Sequence, residues 1–243
     1  MISIICVYND REMLEEYLLK SLHSQSADYE LILLDNREGK YKSAPEALNY
    51  GGQKAQGDYL MFVHQDIDLK SDTWLDDAEK ILNKLDNWGV AGVAGVPMDG
   101  ILKSNIENGI PPIKPGQHIK NPIPVQTLDE CLIMVPRTVF NKFKFDEELV
   151  GWHLYSVDYC LNIKRYGYDV LVLPLHLYHR SYMVRYAKDY YRLLKVIFKK
   201  YKAEYPKINT SCGVWNTSYP LFWYKFLNTG IGLRFRRLLD RIK

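Results

Sequence analysis

Cysteine is scarce: the four in 243 residues, Cys6, Cys131, Cys160 and Cys212, stand far apart. None belongs to a C-x-x-C pair or a Cys/His cluster with zinc spacing, which excludes a disulfide framework and a zinc ribbon and reads as reduced thiols in a cytosolic protein. No apolar run is long enough for a membrane span, and "MISIICVYND" has no basic n-region of a signal peptide. Strong charge is lacking too. A formal net charge of +3 gives no reason to expect a nucleic-acid partner, although the basic excess lies late in the chain.

Several catalytic signatures are missing. There is neither G-x-G-x-x-G after the first apolar run nor G-x-x-x-x-G-K-[ST] anywhere, which argues against a Rossmann dehydrogenase and a P-loop enzyme. G-x-S-x-G is absent as well, which argues against an α/β-hydrolase. A nucleotidyltransferase would show a glycine-rich basic loop after its first strand, where this chain reads "CVYNDREM". A diphosphate bound without such a loop needs a cation and basic side chains to neutralise it.

What is present is a buried-strand and helix alternation. With 47% hydrophobic residues the chain supports a large core. "ISIICVY", "YELILLDN" and "YLMFVH" are apolar runs suited to strands covered on both faces. Between them "NDREMLEEYLLKSLHSQ" and "SAPEALNYGGQKAQGD" carry caps and helical spacing. The β-α-β-α-β order predicts an α/β fold with a mostly parallel sheet, whose functional groups gather at the carboxyl ends of strands. "SDTWLDDAEKILNKL" predicts a further helix, "GVAGVAGVPM" a glycine-interrupted strand or strand pair, and the proline-rich stretch between Asp99 and Val125 a long loop. "CLIMVPR", "SVDYCLNIKRYGY" and "DVLVLP" read as strand, helix and strand, and residues 183–204 as a basic, tyrosine-rich helix.

The strand end "FVHQDID" is the chemical centre of the sequence. His64, Asp66 and Asp68 alternate, so an extended backbone would turn all three to one side, where carboxylates suit Mg²⁺ or Mn²⁺ and the imidazole tilts the choice toward Mn²⁺. A solvated turn capping the next helix through Ser71 or Asp72 is the plainer alternative. Asp35, ending the second strand, either accepts turn amides or faces a ribose or base.

In order and spacing, "ISIICVYN", "LILLDN", "ALNYGGQKAQGDYLMFVHQDIDL", "TLDECLIMVPR" and "FDEELVGWHLYSVDYCLNIKRYGYDVLVLPLHLYHRS" resemble the glycosyltransferase family 2-like enzymes with the nucleotide-sugar-binding GT-A fold. The resemblance covers about residues 1 to 181, and "FVHQD" is similar to a subgroup with histidine in place of the first acid of the usual D-x-D. It implies a GT-A-like domain at 1–182 with a helical basic and aromatic extension at 183–243, packed on the core or facing a membrane. It places Tyr8, Asn9, Asp35 and Asn49 around the nucleotide, and Asp66 on the metal, with His64, Asp68 and His179 as further ligands. Two registers compete, His64-Gln65-Asp66 and Asp66-Ile67-Asp68; His153 and His176 are left structural.

The resemblance implies metal-dependent, inverting transfer of a sugar from a nucleotide-diphosphate donor, UDP-linked by preference, to a glycan or lipid-linked saccharide. One departure concerns the base, since the family's Glu-Asp pair reads Tyr155-Ser156 here. Asp158 is the first replacement candidate, because it keeps the nine-residue spacing to Gly167; Asp129 is second and Glu130 third. The late lysines, arginines and aromatics suggest a solvated helix face or contact with the inner face of a membrane, and a homodimer is a further expectation. The rival from another class is a silent nucleotide- or glycan-binding module of the same fold.

Overall fold

The computed structural model describes residues 1–180 and 188–227. Its elements are β1 (Ile2–Tyr8), α1 (Arg11–Leu14), a π-helical stretch (Glu15–Leu19), α2 (Lys20–His23), β2 (Tyr29–Asp35), α3 (Ala44–Lys54), β3 (Tyr59–Val63) and β4 (Ile67–Asp68). There follow α4 (Trp74–Leu82), β5 (Trp88–Gly92), β6 (Ala94–Val96), β7 (Lys103–Ser104), β8 (Ile106–Asn108), β9 (Ile123–Pro124), β10 (Thr127–Leu128), β11 (Leu132–Pro136) and α5 (Arg137–Lys142). The last elements among the described residues are α6 (Tyr155–Arg165), β12 (Asp169–Val172), β13 (Leu177–His179), α7 (Lys188–Tyr201), β14 (Lys207–Thr210), β15 (Gly213–Asn216) and α8 (Leu221–Leu227).

The central sheet has the order β2-β1-β3-β11-β5-β12-β9. β2, β1, β3, β5 and β12 run one way, and β11 and β9 run against them. The sheet is therefore mostly parallel, with β11 inserted antiparallel between β3 and β5. Both faces are covered, so β1 is apolar at every position but the buried Ser3 instead of alternating, and the two faces feed two separate apolar clusters. Local chemistry sets the helix starts: the Asp10 carboxylate accepts from the Met13 amide at 3.0 Å, and the Ser43 hydroxyl from the Glu46 amide at 3.3 Å. α3 rides close to its neighbours because Gly52 has no side chain; a Cβ there would lie 2.4 Å from the Phe140 ring.

Three small assemblies surround the carboxyl edge. One is the sheet β4-β13-β8, in which Tyr178 pairs with Asp68 and His179 with Ile67. The second is β10-β6-β7, and the third is the hairpin β14-β15. Gln126 and Thr127 fasten that hairpin: the Gln126 side-chain oxygen accepts from the Asn209 backbone amide at 2.7 Å, and the Thr127 hydroxyl donates to the Asn209 carbonyl.

The helix expected over 183–204 is α7 within the described residues; residues 183–187 and the closing "RFRRLLDRIK" lie outside them. α7 buries Leu193, Leu194, Ile197, Phe198 and Tyr201 in the same cluster as α6 and α3, and Ile208 and Trp215 of the hairpin join it. The part of the extension that is described is thus continuous with the core. Its opposite face exposes Lys195, Lys199 and Lys202. Among the described residues no helix is long and apolar enough to cross a membrane.

Candidate active site

A cleft of about 630 Å³ opens where β1 and β3 end. Tyr8 and Asn9 come from the end of β1, His64 to Asp66 from the end of β3, and Asp129 and Glu130 from the turn before β11. His179 ends β13, Trp152 to Leu154 precede α6, and Thr210 to Cys212 form the hairpin tip. The strand-end rule thus holds for the first and third strands.

His64, Asp66 and His179 each offer a ligand atom, and these atoms lie within 4.8 Å of one another. Donors about 2.1 Å from a common ion sit roughly 3 to 4.2 Å apart, so these three would close on Mn²⁺ or Mg²⁺ with side-chain shifts of well under about 1 Å. The donor chemistry fits as well, with one carboxylate and two imidazoles leaning toward Mn²⁺. His179 reaches this position because β13 pairs with β4, and the Arg180 amide bonds the Asp66 carbonyl at 3.0 Å. Burial and the neighbouring His179 push the His64 pKa down to about 4, which keeps its imidazole neutral. Burial works against a charged His179 too, but Asp66, 3.4 Å from its Nε2, outweighs that and raises its pKa.

A pH dependence follows from the sign of that shift. A metal ion held there would have to displace the His179 proton, so affinity would be full above the raised pKa and fall by about tenfold per pH unit below it. Mn²⁺ titrations between pH 6 and 8.5 should show this fall beginning above the ordinary histidine value, with about one proton released per ion bound at the acid end. A flat profile would remove His179 from the ligand set.

Gln65, between His64 and Asp66 just beyond β3, is a residue that the sequence did not single out. Its side-chain oxygen accepts from the Asn9 and Asp10 amides at 2.9 and 3.0 Å, and its amide nitrogen donates to the Asn9 side chain at 2.9 Å. It locks the β3 turn to the β1 turn. No local signal could have shown this, since its partners lie 56 and 55 residues away.

Four of the expected site residues are placed elsewhere. Asp68 does not join the metal set: the chain turns at Gln65 and Asp66, so the alternation that would have aligned it is broken. Its carboxylate instead accepts from the Lys70 amide at 2.8 Å, on a separate surface depression. Of the two registers, His64-Gln65-Asp66 is the one whose outer residues meet. Asn49 is buried and saturated by Phe145 and Glu147, tying α3 to the loop before α6, which takes it out of the nucleotide set. Asp35 is the register partner of Tyr8 but sits outside the cleft proper, gripped by Arg37 at 2.6 to 3.0 Å, which holds its carboxyl well below the usual range. It borders an adjoining depression with Lys40, Tyr50 and Lys54.

Asp158, the first base candidate, is the fourth. It lies on the α6 face turned to α7, bonded by Lys200 at 2.8 and 3.0 Å and by the Tyr201 hydroxyl at 3.0 Å, and it does not line the cleft. The carboxylate is a structural ion-pair partner. Asp158→Ala should cost about 2 kcal/mol, because it removes two charged contacts and leaves the half-buried Lys200 with Asp146, at 2.8 Å, as its remaining carboxylate, while nucleotide binding in Mn²⁺ persists. Thermal unfolding and calorimetry of one preparation would check both halves.

Two carboxylates remain in the cleft. Burial raises the Asp129 pKa, yet the Ser211 hydrogen bond, the charge of His179 and the Cys131 amide at 3.0 Å together leave it lowered. Burial dominates at Glu130 and raises it, against the pull of His153, whose Nδ1 lies 3.9 Å from Oε2. His153, which the sequence reading left structural, has its own pKa raised by that carboxylate. The hairpin tip was also missed, although "KINTSCGVWN" has β-branched runs on both sides of a short turn.

The Glycosyltransferase like family profile matches residues 3–201 of this chain. Among curated proteins it is 26% identical over 213 residues to "ATP synthase subunits region ORF 6" of Fuscovulum blasticum, covering 81% of this chain and 80% of that one. Among solved structures it is similar to the mannosyltransferase PcManGT of Pyrobaculum calidifontis in complex with GDP-Man and Mn²⁺, at TM-score 0.60 and 14% identity over 84% of this chain and 64% of that one. GalNAc-T7 with UDP, GalNAc and Mn²⁺ gives 0.59 and 13%, over 83% and 49% of the two chains. S. aureus TarS 1-349 in complex with UDP-GlcNAc gives 0.55 and 15%, over 82% and 66%. The chain thus spans half to two thirds of the length of these structures. With the α/β architecture shared across these structures and a profile match over most of its length, the chain belongs to the Glycosyltransferase like family and has the GT-A fold.

Proposed function

We propose that this protein is a divalent-metal-dependent, inverting glycosyltransferase that moves a sugar from a nucleoside diphosphate, UDP in the first instance, to a hydroxyl of a glycan or lipid-linked saccharide. The observation that carries the reading is the convergence of His64, Asp66 and His179 in one cleft at the strand ends. Mn²⁺ or Mg²⁺ bound there supplies positive charge against the departing diphosphate. The preference for UDP draws on two of the three relatives, whose structures hold UDP or UDP-GlcNAc.

The protein's own groups do the rest. Tyr8 and Asn9 line the cleft beside the metal ligands, and Asp35 with Arg37 lines the adjoining depression at the end of the strand next to β1. These residues suit the nucleoside. Glu130 is the base: its raised pKa brings the carboxylate nearer to neutral operation, and His153 beside it can share the proton. The bond from anomeric carbon to phosphate oxygen breaks, a bond to the acceptor oxygen forms on the opposite face, and the acceptor proton passes to Glu130.

The acceptor side draws on the surface of α7 and α8. The exposed Lys195, Lys199 and Lys202 lie near the exposed aromatics Tyr219, Phe222 and Trp223, a composition that suits the inner face of an anionic membrane. Cytoplasmic location and a homodimer complete the reading.

Calorimetric titration with UDP, GDP, CDP and TDP in Mn²⁺ and again in EDTA tests it. Metal-dependent binding of one nucleotide, with slow hydrolysis of its sugar derivative, is the expected result. Binding to none of them would overturn the donor assignment and favour a silent module.

A further inference from the structure

We infer that Tyr155 is a positioning residue for the metal site, fixing the tautomer and orientation of the His64 ring so that Nδ1 is the nitrogen offered to the ion. The inference rests on the reading of His64 as a ligand given above. Its ground is proton counting. The Tyr155 hydroxyl lies 3.1 Å from the Glu130 carbonyl oxygen and 3.1 Å from His64 Nε2. A carbonyl can only accept, so the single phenolic proton goes to Glu130, and Nε2 must carry a proton that it donates to the tyrosine oxygen. Nδ1 is then the nitrogen with a lone pair.

The surroundings leave the ring little freedom. Tyr155 is 6% exposed and opens α6 directly after Leu154, whose φ of 64° is an unusual left-handed conformation for leucine. The His64 amide donates to the Cys131 carbonyl at 2.9 Å, so its backbone and its ring are both fastened to the 130–131 segment. Outer partners of this kind commonly set ligand geometry at metal sites.

This accounts for an oddity of the sequence. Position 155 is where the resemblance places half of an acidic pair, and position 64 is where it places the first acid of the D-x-D. Here the two exchanged residues touch each other. A hydroxyl at 155 has no work as a base, but it is the group that a histidine at 64 needs. Ser156 does not enter the cleft; its hydroxyl donates to the Leu128 carbonyl at 3.1 Å in the core.

The test has two independent parts. In metal-free wild-type protein near pH 7, long-range ¹H–¹⁵N correlation spectra should show His64 protonated on Nε2. Mn²⁺ affinity, read by electron paramagnetic resonance without any nucleotide, should fall about 10- to 100-fold in Tyr155→Phe. In a His64→Asp background, which has no Nε2–H to place, adding Tyr155→Phe should change affinity less than about threefold, the independence expected of sites that no longer interact. An Nδ1-protonated His64, or equal losses in both backgrounds, would overturn the inference. If wild-type protein bound no Mn²⁺ the metal reading itself would fail, and the tautomer spectrum would still decide the Tyr155 contact.

Discussion

Asp66→Ala should bind Mn²⁺ at least a hundredfold more weakly than the wild type and lose metal-dependent nucleotide binding with it. Asp66 is the one carboxylate of the three-residue set, so it alone offsets the charge of the ion, while His64 and His179 contribute neutral lone pairs. A bound cation supplies several kcal/mol of leaving-group stabilisation, and at about 1.36 kcal/mol per tenfold in rate its loss should slow turnover of the sugar nucleotide roughly a thousandfold or more. The fold should survive. The structural bond at this position comes from the backbone, where the Arg180 amide meets the Asp66 carbonyl, and alanine keeps it. Titration with Mn²⁺ and nucleotide, paired with a thermal melt, separates the two effects. Nucleotide affinity in Mn²⁺ equal to that of the wild type would remove Asp66 from the site.

Glu130→Gln should leave donor and metal binding within a few-fold of wild type and lower kcat by about 10²- to 10⁴-fold, the range for loss of a placed base. The substitution keeps size and polarity and removes only the capacity to take a proton. Asp129→Asn is the comparison that makes the result informative. Asp129 already spends its oxygens on Ser211 and the Cys131 amide and has a lowered pKa, both poor qualities in a base. Hydrolysis of the sugar nucleotide provides the readout, with water as acceptor. If Asp129→Asn gave the larger loss in kcat with donor binding intact, the proton acceptor would move one residue back along the chain.

Spacing made some of this site legible and misled on the rest. "FVHQD" exposed His64 and Asp66 because a strand end is a local event, and the same alternation brought in Asp68 wrongly because the turn at residues 65–66 ends the extended backbone on which alternation depends. The nine-residue spacing to Gly167 drew attention to Asp158 on its helix. It carried nothing about Lys200, 42 residues later, which claims that carboxylate. His153 and Glu130 meet across 23 positions without any shared motif.

By itself the sequence determined the order of strands and helices, the burial of the central strands, and the strand ends that carry chemistry. Its apolar periodicities and caps act over a few residues, and the structure follows them at β1, α3 and β3. The resemblance sets His179 with Asp66, which meet through the pairing of β13 and β4, but tertiary structure alone decided that Tyr155 meets His64 where α6 begins and the hairpin tip meets Asp129. Each of those contacts depends on a sheet register or a helix orientation set by the packing of the whole core, a constraint that no short window of residues contains.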